Sequence, residues 1–285
     1  MSIRNNILGL KAILIFDNWP MLVLGRLFNR RAGLVVYRKK GMEILIDHLG
    51  GDCNGTRAVL TTDMYSKYLG GFVLDRPVRV LDLGANGGGF PLMLRVAGIP
   101  VDRAVCVEMN PLTYERLRLN LANNLGPAGV AINAAVCGIP VQSEILLRPS
   151  RGSAGEGIHT HSAGAGQPHV AVRTTTLSAL FDGYFKGELV DLCKIDVEDA
   201  EYEIFEETPD DLLGRIRYLL IEFHNPSKTP ALVARLEGLG FREIATRGDS
   251  KTGENTEVRV FRGPAAATAS SLGRNAACSR PECRY

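Results

Sequence analysis

Short apolar runs recur along this chain with helix-length stretches between them, and that rhythm limits the folds open to it more than any other feature. VRVLDL (Val78 to Leu83), AVCVEM (Ala104 to Met109), VAINAAV (Val130 to Val136), LVDLCKID (Leu189 to Asp196) and IRYLLIEFH (Ile216 to His224) are rich in β-branched and apolar residues. Runs of this kind suit strands buried on both faces, as in a parallel sheet. Between them, the segment from Pro111 to Asn123 sets Leu112, Leu117, Leu119 and Leu121 among polar residues, a helical pattern. Strands alternating with helices predict an α/β fold with a doubly wound, mostly parallel sheet of about seven strands. FREIAT and EVRVFR come last with no helix between them and should close the sheet as an antiparallel hairpin.

Upstream, LVVYR and MEILID flank a turn at Lys39 to Gly41 and read as a separate hairpin on the domain edge. The expected organisation is an N-terminal helix and hairpin extension over 1–75, the α/β domain over 76–263, and a disordered tail over 264–285. The tail is rich in Ala, Ser and Arg and poor in large apolar residues. Its Cys278 and Cys283 lack a second ligand pair nearby, so a zinc site is not expected there. A further loop, Pro149 to Pro168, consists largely of Gly, Ala, Ser and His. Its His159 and His161, with His169 beyond it, could line an acceptor site, the alternative being a lid with no ligand role.

Composition excludes several classes. Apolar residues at 45 % and charged residues at 22 % are ordinary for a globular chain. A formal charge of +2 gives no field that would draw nucleic acid. Cys106 and Cys193 lie in apolar runs and read as reduced core thiols, so the expected compartment is the cytoplasm. The first 28 residues are apolar, but Lys11 and the Asp17–Asn18–Pro20 break keep either piece short of the ~20 residues a span requires. No small-residue cleavage site follows. A helix packed on the domain is the first reading. Peripheral membrane contact, aided by Arg26, Arg30, Arg31, Arg38, Lys39 and Lys40, is the second.

Ligands of an open α/β sheet bind at the carboxyl ends of its strands. The loop from Gly84 through Ala85, Asn86, Gly87 and Gly88 to Gly89 follows the first core strand, and glycines there let a backbone approach a ligand at a helix N-terminus. Glu108 ends the next strand, where a carboxylate can accept from ribose hydroxyls. Asp82, just before the loop, suits a cofactor with a cationic amino-acid end. Asn86 stands where a dinucleotide fingerprint requires its second glycine, which disfavours a nicotinamide cofactor.

DLGANGGGF, VEMNP, KIDVEDAEYEIF and IEFH, in that order over roughly Val78 to Asn225, resemble the FkbM family of S-adenosylmethionine-dependent methyltransferases. That family reads D-x-G-A-N-x-G, E-P, K-I-D-V-E-G-A-E and E-x-H at these places. The resemblance implies the class I methyltransferase fold, with S-adenosylmethionine as donor and S-adenosylhomocysteine as product. Two departures stand out: Asp199 replaces the family's glycine, and Met109-Asn110-Pro111 shifts the proline by one residue. Aspartate tolerates left-handed backbone, so the first departure should be accommodated.

The residues expected around the cofactor are Asp82, Gly84, Ala85, Asn86, Gly88, Glu108, Met109, Asn133 and Asp196. Catalysis is expected from His224 as base, with Asp196 orienting the acceptor or the methionine amine; the reverse assignment stays open. Glu222, two residues before His224 on the same strand face, could orient the imidazole. Glu198, Asp199, Glu201, Glu203, Glu206 and Glu207 read as a solvated acidic helix, with Glu201 set apart by its place in the motif. No metal site is expected, although Asp196 and Glu198 leave Mg²⁺ as a less favoured option. The place after the fourth core strand holds D-V-E rather than N-P-P-[YF], which argues against nucleic-acid acceptors. The resemblance implies O-methylation of a hydroxyl on a sugar, glycan or natural product. The rivals are an NAD(P)-binding oxidoreductase and an inactive nucleoside-binding relative.

Overall fold

The structure, a computed structural model, describes residues 12–28, 33–139, 144–148, 166, 169–248 and 257–266. Helix α1 (Trp19–Phe28) precedes a hairpin of β1 (Leu34–Lys39) and β2 (Met42–Asp47). Helix α2 (Thr56–Thr61) then leads into alternating elements: β3 (Val78–Leu83), α3 (Gly89–Val96), β4 (Val101–Glu108), α4 (Pro111–Leu125) and β5 (Gly129–Asn133). A small sheet follows, made of β6 (Ala135–Val136), β7 (Glu144–Leu147) and β8 (Val170–Thr175). The chain continues through α5 (Leu177–Leu180), β9 (Val190–Ile195), α6 (Glu201–Glu207), α7 (Asp210–Leu213), β10 (Ile216–Phe223), α8 (Thr229–Gly238), β11 (Arg242–Gly248) and β12 (Glu257–Arg262).

The main sheet has seven strands in the order β11-β12-β10-β9-β3-β4-β5. Pairing is parallel from β10 through β5, and β12 enters antiparallel between β10 and β11. The chain runs from β3 outward to β5, then returns to β9 on the other side of β3. The strand order therefore reverses between β3 and β9, which places the ligand crevice at their carboxyl ends. Side chains alternate between two apolar layers: Val80, Cys106, Leu192 and Leu220 lie on one, Leu81, Val107, Cys193 and Leu219 on the other. All six residues of β9 are buried, Asp191 and Lys194 among them, which accounts for its mainly apolar character.

Two boundaries differ from the sequence reading. The run VAINAAV divides, because β5 pairs with β4 while Ala135 and Val136 pair with Thr174 and Thr175 of β8. Ordered packing also continues past residue 263: Ala266 is buried in the core, so the tail boundary expected at 264 lies too early. The rest of the tail, with Cys278 and Cys283, falls outside the described residues. So do residues 1–11 and 29–32 and most of the Pro149–Pro168 loop, including His159 and His161; His169 is exposed.

The hairpin is built into the domain. Asn120 of α4 accepts from Leu45 N at 2.7 Å and donates to Leu45 O at 3.0 Å, as a neighbouring strand would. Asn124 repeats the exchange with Glu43, at 3.0 and 2.8 Å. Two asparagines one helical turn apart thus satisfy the free edge of β2. Asn120 also donates to Gly87 O at 2.8 Å, linking hairpin to glycine loop. Asn120→Leu is expected to destabilise by about 1–3 kcal/mol for each buried group left unpaired. Urea unfolding would measure this, and an unchanged midpoint would show that α4 does not hold the hairpin.

Candidate active site

The register of the sheet assembles the site. Asp82 of β3 lies beside Lys194 of β9, and Ile195 lies beside Ile221 of β10. One step on, Asp196 and Glu222 therefore end neighbouring strands, and period-two alternation puts Lys194 and Asp196 on one face. The Lys194 ammonium donates to Gly84 O at 2.8 Å and lies 3.2 Å from Asp196 Oδ2 and 3.4 Å from Asp82 Oδ1. Burial works against its charge most strongly, but Asp196 and Asp82, with Tyr65 and Glu222, together raise its pKa well above the ordinary value.

Asp82 is fully buried, and neither of its carboxylate oxygens has a hydrogen-bond partner. Burial raises its pKa, against the pull of Lys194. Its charged neighbour is the Lys194 ammonium, 3.4 Å from Oδ1. In the sequence the signal for Lys194 is the one cation inside LVDLCKID, between Asp191 and Asp196.

Gly84 explains why the loop begins with glycine. Its φ is +72°, and a Cβ there would fall on the carbonyl oxygen of Asp196. Asn86 also has positive φ, and its backbone N donates to Glu108 Oε2 at 3.0 Å. Its side chain accepts from Thr56 N, Thr56 Oγ1 and Gly87 N, so it fastens the loop to α2. Gly88 packs against Leu117 and Leu121 of α4. Asn86 and Gly88 thus help to shape the glycine loop. Ala85 is buried, its N donating to Val107 O.

Glu108 Oε1 accepts from Asn110 N at 2.8 Å, and Asn133 Nδ2 donates to the carbonyls of Glu108 and Met109. Asn133 therefore clamps the turn that presents Glu108 and the half-buried Met109.

On the other side of the crevice, His224 Nδ1 lies 3.3 Å from Glu201 Oε1, which also accepts from His224 N at 3.1 Å. Its Nε2 lies 3.4 Å from Glu198 Oε2 and 3.7 Å from Asp196 Oδ1. Burial lowers the imidazole pKa, but the Glu201 hydrogen bond and the charges of Asp196 and Glu198 outweigh it and lift it to about 9. The surrounding carboxylates thus favour the charged form of the His224 ring. Glu201, not Glu222, orients the ring. Glu222 is pushed up to about 8, first by the Asp196 carboxylate and then by burial. Its Oε2 faces the hydroxyl of the buried Tyr65 at 3.5 Å.

The acidic segment is solvated only in part: Glu206 and Glu207 are exposed, whereas Glu201 is fully buried. Glu198 and Asp199 adopt φ of +52° and +82°. The aspartate thus takes a left-handed conformation where the family has glycine.

The methyltransferase FkbM domain matches residues 82–243 of this chain. No curated protein matches it. Among solved structures, the methyltransferase FkbM from Methylobacillus flagellatus KT is 11 % identical, covering 65 % of this chain and 43 % of that one, with a TM-score of 0.46. The M. jannaschii tRNA m1G37 methyltransferase is 10 % identical, with coverages of 81 % and 57 % and a TM-score of 0.46. A protein in the NADB-Rossmann superfamily from Streptococcus agalactiae is 16 % identical, with coverages of 66 % and 64 % and a TM-score of 0.41. The chain spans less than two thirds of the length of each of these proteins.

Proposed function

The chain belongs to the family defined by the methyltransferase FkbM domain, and from that premise we propose that it transfers the methyl group of S-adenosylmethionine to a hydroxyl of a sugar, glycan or natural-product acceptor. The observation that supports this reading best is the division of the crevice. The glycine loop and Glu108 lie on one side of the strand-order reversal, and Asp196, Glu222 and His224 lie on the other. The first side suits a nucleoside and the second a polar acceptor.

In the reaction, an acceptor oxygen attacks the methyl carbon in line with the sulfonium. A C–O bond forms, the S–C bond breaks, and S-adenosylhomocysteine leaves. The donor is already activated, so the protein contributes mainly alignment and exclusion of water. The hydroxyl proton passes to the carboxyl pair of Asp196 and Glu222, which end neighbouring strands. His224, with carboxylates at both ring nitrogens, acts as a positioning residue beside them.

Titration calorimetry with S-adenosylhomocysteine, with NAD as the parallel ligand, tests the cofactor. Micromolar binding of the former alone is expected, and binding of NAD alone would overturn the reading. Glu108→Ala removes a charged acceptor and should weaken S-adenosylhomocysteine binding by about 10–100-fold. Unchanged affinity would remove Glu108 from the nucleoside site.

A lipid-linked sugar is the acceptor class we favour, because α1 buries Leu22 but leaves Trp19, Met21, Leu24, Leu27 and Phe28 exposed. No described helix is long and apolar enough to cross a membrane. Flotation with anionic vesicles should carry the protein upward, and Leu24→Glu with Phe28→Glu should release it. A wild-type protein that stays behind would favour a water-soluble acceptor.

A further inference from the structure

We propose that Asp196, Glu198 and His224 form a binding site for one divalent cation, with Mn²⁺ as the ion their mixed oxygen and nitrogen donors suit best. One atom from each of these three residues can be chosen so that all lie within 4.8 Å of one another. His224 Nε2 stands 3.4 Å from Glu198 Oε2 and 3.7 Å from Asp196 Oδ1. Two donors each about 2.1 Å from one ion lie roughly 3.0–3.4 Å apart at octahedral to tetrahedral angles. The two distances from the histidine therefore need to shorten by at most a few tenths of an ångström to hold an ion, and the two carboxylates already lie within 4.8 Å of each other. Carboxylates suit Mn²⁺ and Mg²⁺, whereas an imidazole nitrogen disfavours Mg²⁺ relative to a transition ion.

A second feature points the same way. A metal-binding histidine almost always donates its other ring N–H to a carboxylate, a backbone carbonyl or water, which fixes the tautomer. Here Glu201, fully buried, takes Nδ1 and also the backbone N of the same residue. That leaves Nε2 directed at the two carboxylates. The second oxygen of Glu201 is buried with no hydrogen-bond partner, so this carboxylate is held inside the protein for the histidine. Glu198 reaches the cluster from a residue with φ of +52°, between the end of β9 and α6.

The inference rests on the methyl-transfer reading only for its consequence. An acceptor hydroxyl bound to the ion would ionise more readily. The site itself is testable without turnover. The full chain, freed of metal by dialysis against chelator, is titrated with Mn²⁺ and followed by the loss of the free-ion paramagnetic resonance signal. One equivalent should bind. Glu198→Gln should weaken binding by at least about tenfold, and Glu201→Gln, which acts through the histidine, by about 10–100-fold. S-adenosylhomocysteine affinity is measured on the same samples. Mn²⁺ that fails to bind, or binds equally to both variants, overturns the proposal even where the cofactor analogue binds. Cofactor failure with Mn²⁺ bound overturns the methyltransferase reading alone.

Discussion

Asp196→Asn is expected to slow methyl transfer by about 10²–10⁴-fold, the range a positioned proton acceptor contributes, with little change in S-adenosylhomocysteine binding. The substitution keeps the volume of the side chain and its place at the end of β9. Lys194 still has Asp82 and the carbonyl of Gly84 as partners, so the glycine loop keeps its anchor. What is lost is a charge at the mouth of the crevice, beside Glu222 and His224. Transfer of labelled methyl to an accepted hydroxyl compound, alongside calorimetry, separates the two roles considered for this residue. Slow transfer with intact affinity assigns it to the acceptor. Weak affinity with intact turnover assigns it to the methionine amine and removes it from the proton path.

Much of this was legible in the sequence, for identifiable reasons. Parallel strands covered on both faces are predominantly apolar, so β3, β4, β9 and β10 stand out as runs. The glycine loop was legible because Gly84 touches the backbone of Asp196 and no other residue fits there. Asp199 could be expected to take left-handed backbone because aspartate tolerates it, and it does. What stayed hidden depends on register and on distant segments. Asp82 reads as a ligand contact from its place before the loop. That it faces Lys194 follows only from the pairing of β3 with β9.

The carboxylate surroundings of His224 were equally invisible, because Glu198 and Glu201 are brought to it by a different loop and helix. The break in VAINAAV was hidden because an apolar run carries no mark of which sheet its residues join. Asn120 and Asn124 did leave a signal: two polar side chains one turn apart on a helix otherwise packed by Leu117 and Leu121. Such a pair indicates that the helix offers hydrogen bonds to a neighbouring backbone.

The largest loss of stability is expected from Lys194→Met, at about 3–5 kcal/mol, the cost of leaving one member of a buried ion pair without its partner. Asp82 has no hydrogen bond to either oxygen, so the ammonium 3.4 Å away is what offsets its charge inside the sheet. Adding Asp82→Asn should recover part of the loss, because the stranded charge goes with the substitution. The coupling between the two changes, from urea unfolding of both single variants and the double variant, is the quantity to measure. A Lys194→Met protein within about 1 kcal/mol of the parent would mean that Asp82 is held neutral and the pair contributes nothing. The double variant bears on function as well as on the core. Without Lys194, the Gly84 carbonyl loses its donor, so the recovered protein should still bind S-adenosylhomocysteine more weakly than the parent. Full recovery of stability with full affinity would show that the lysine serves the core and not the cofactor loop.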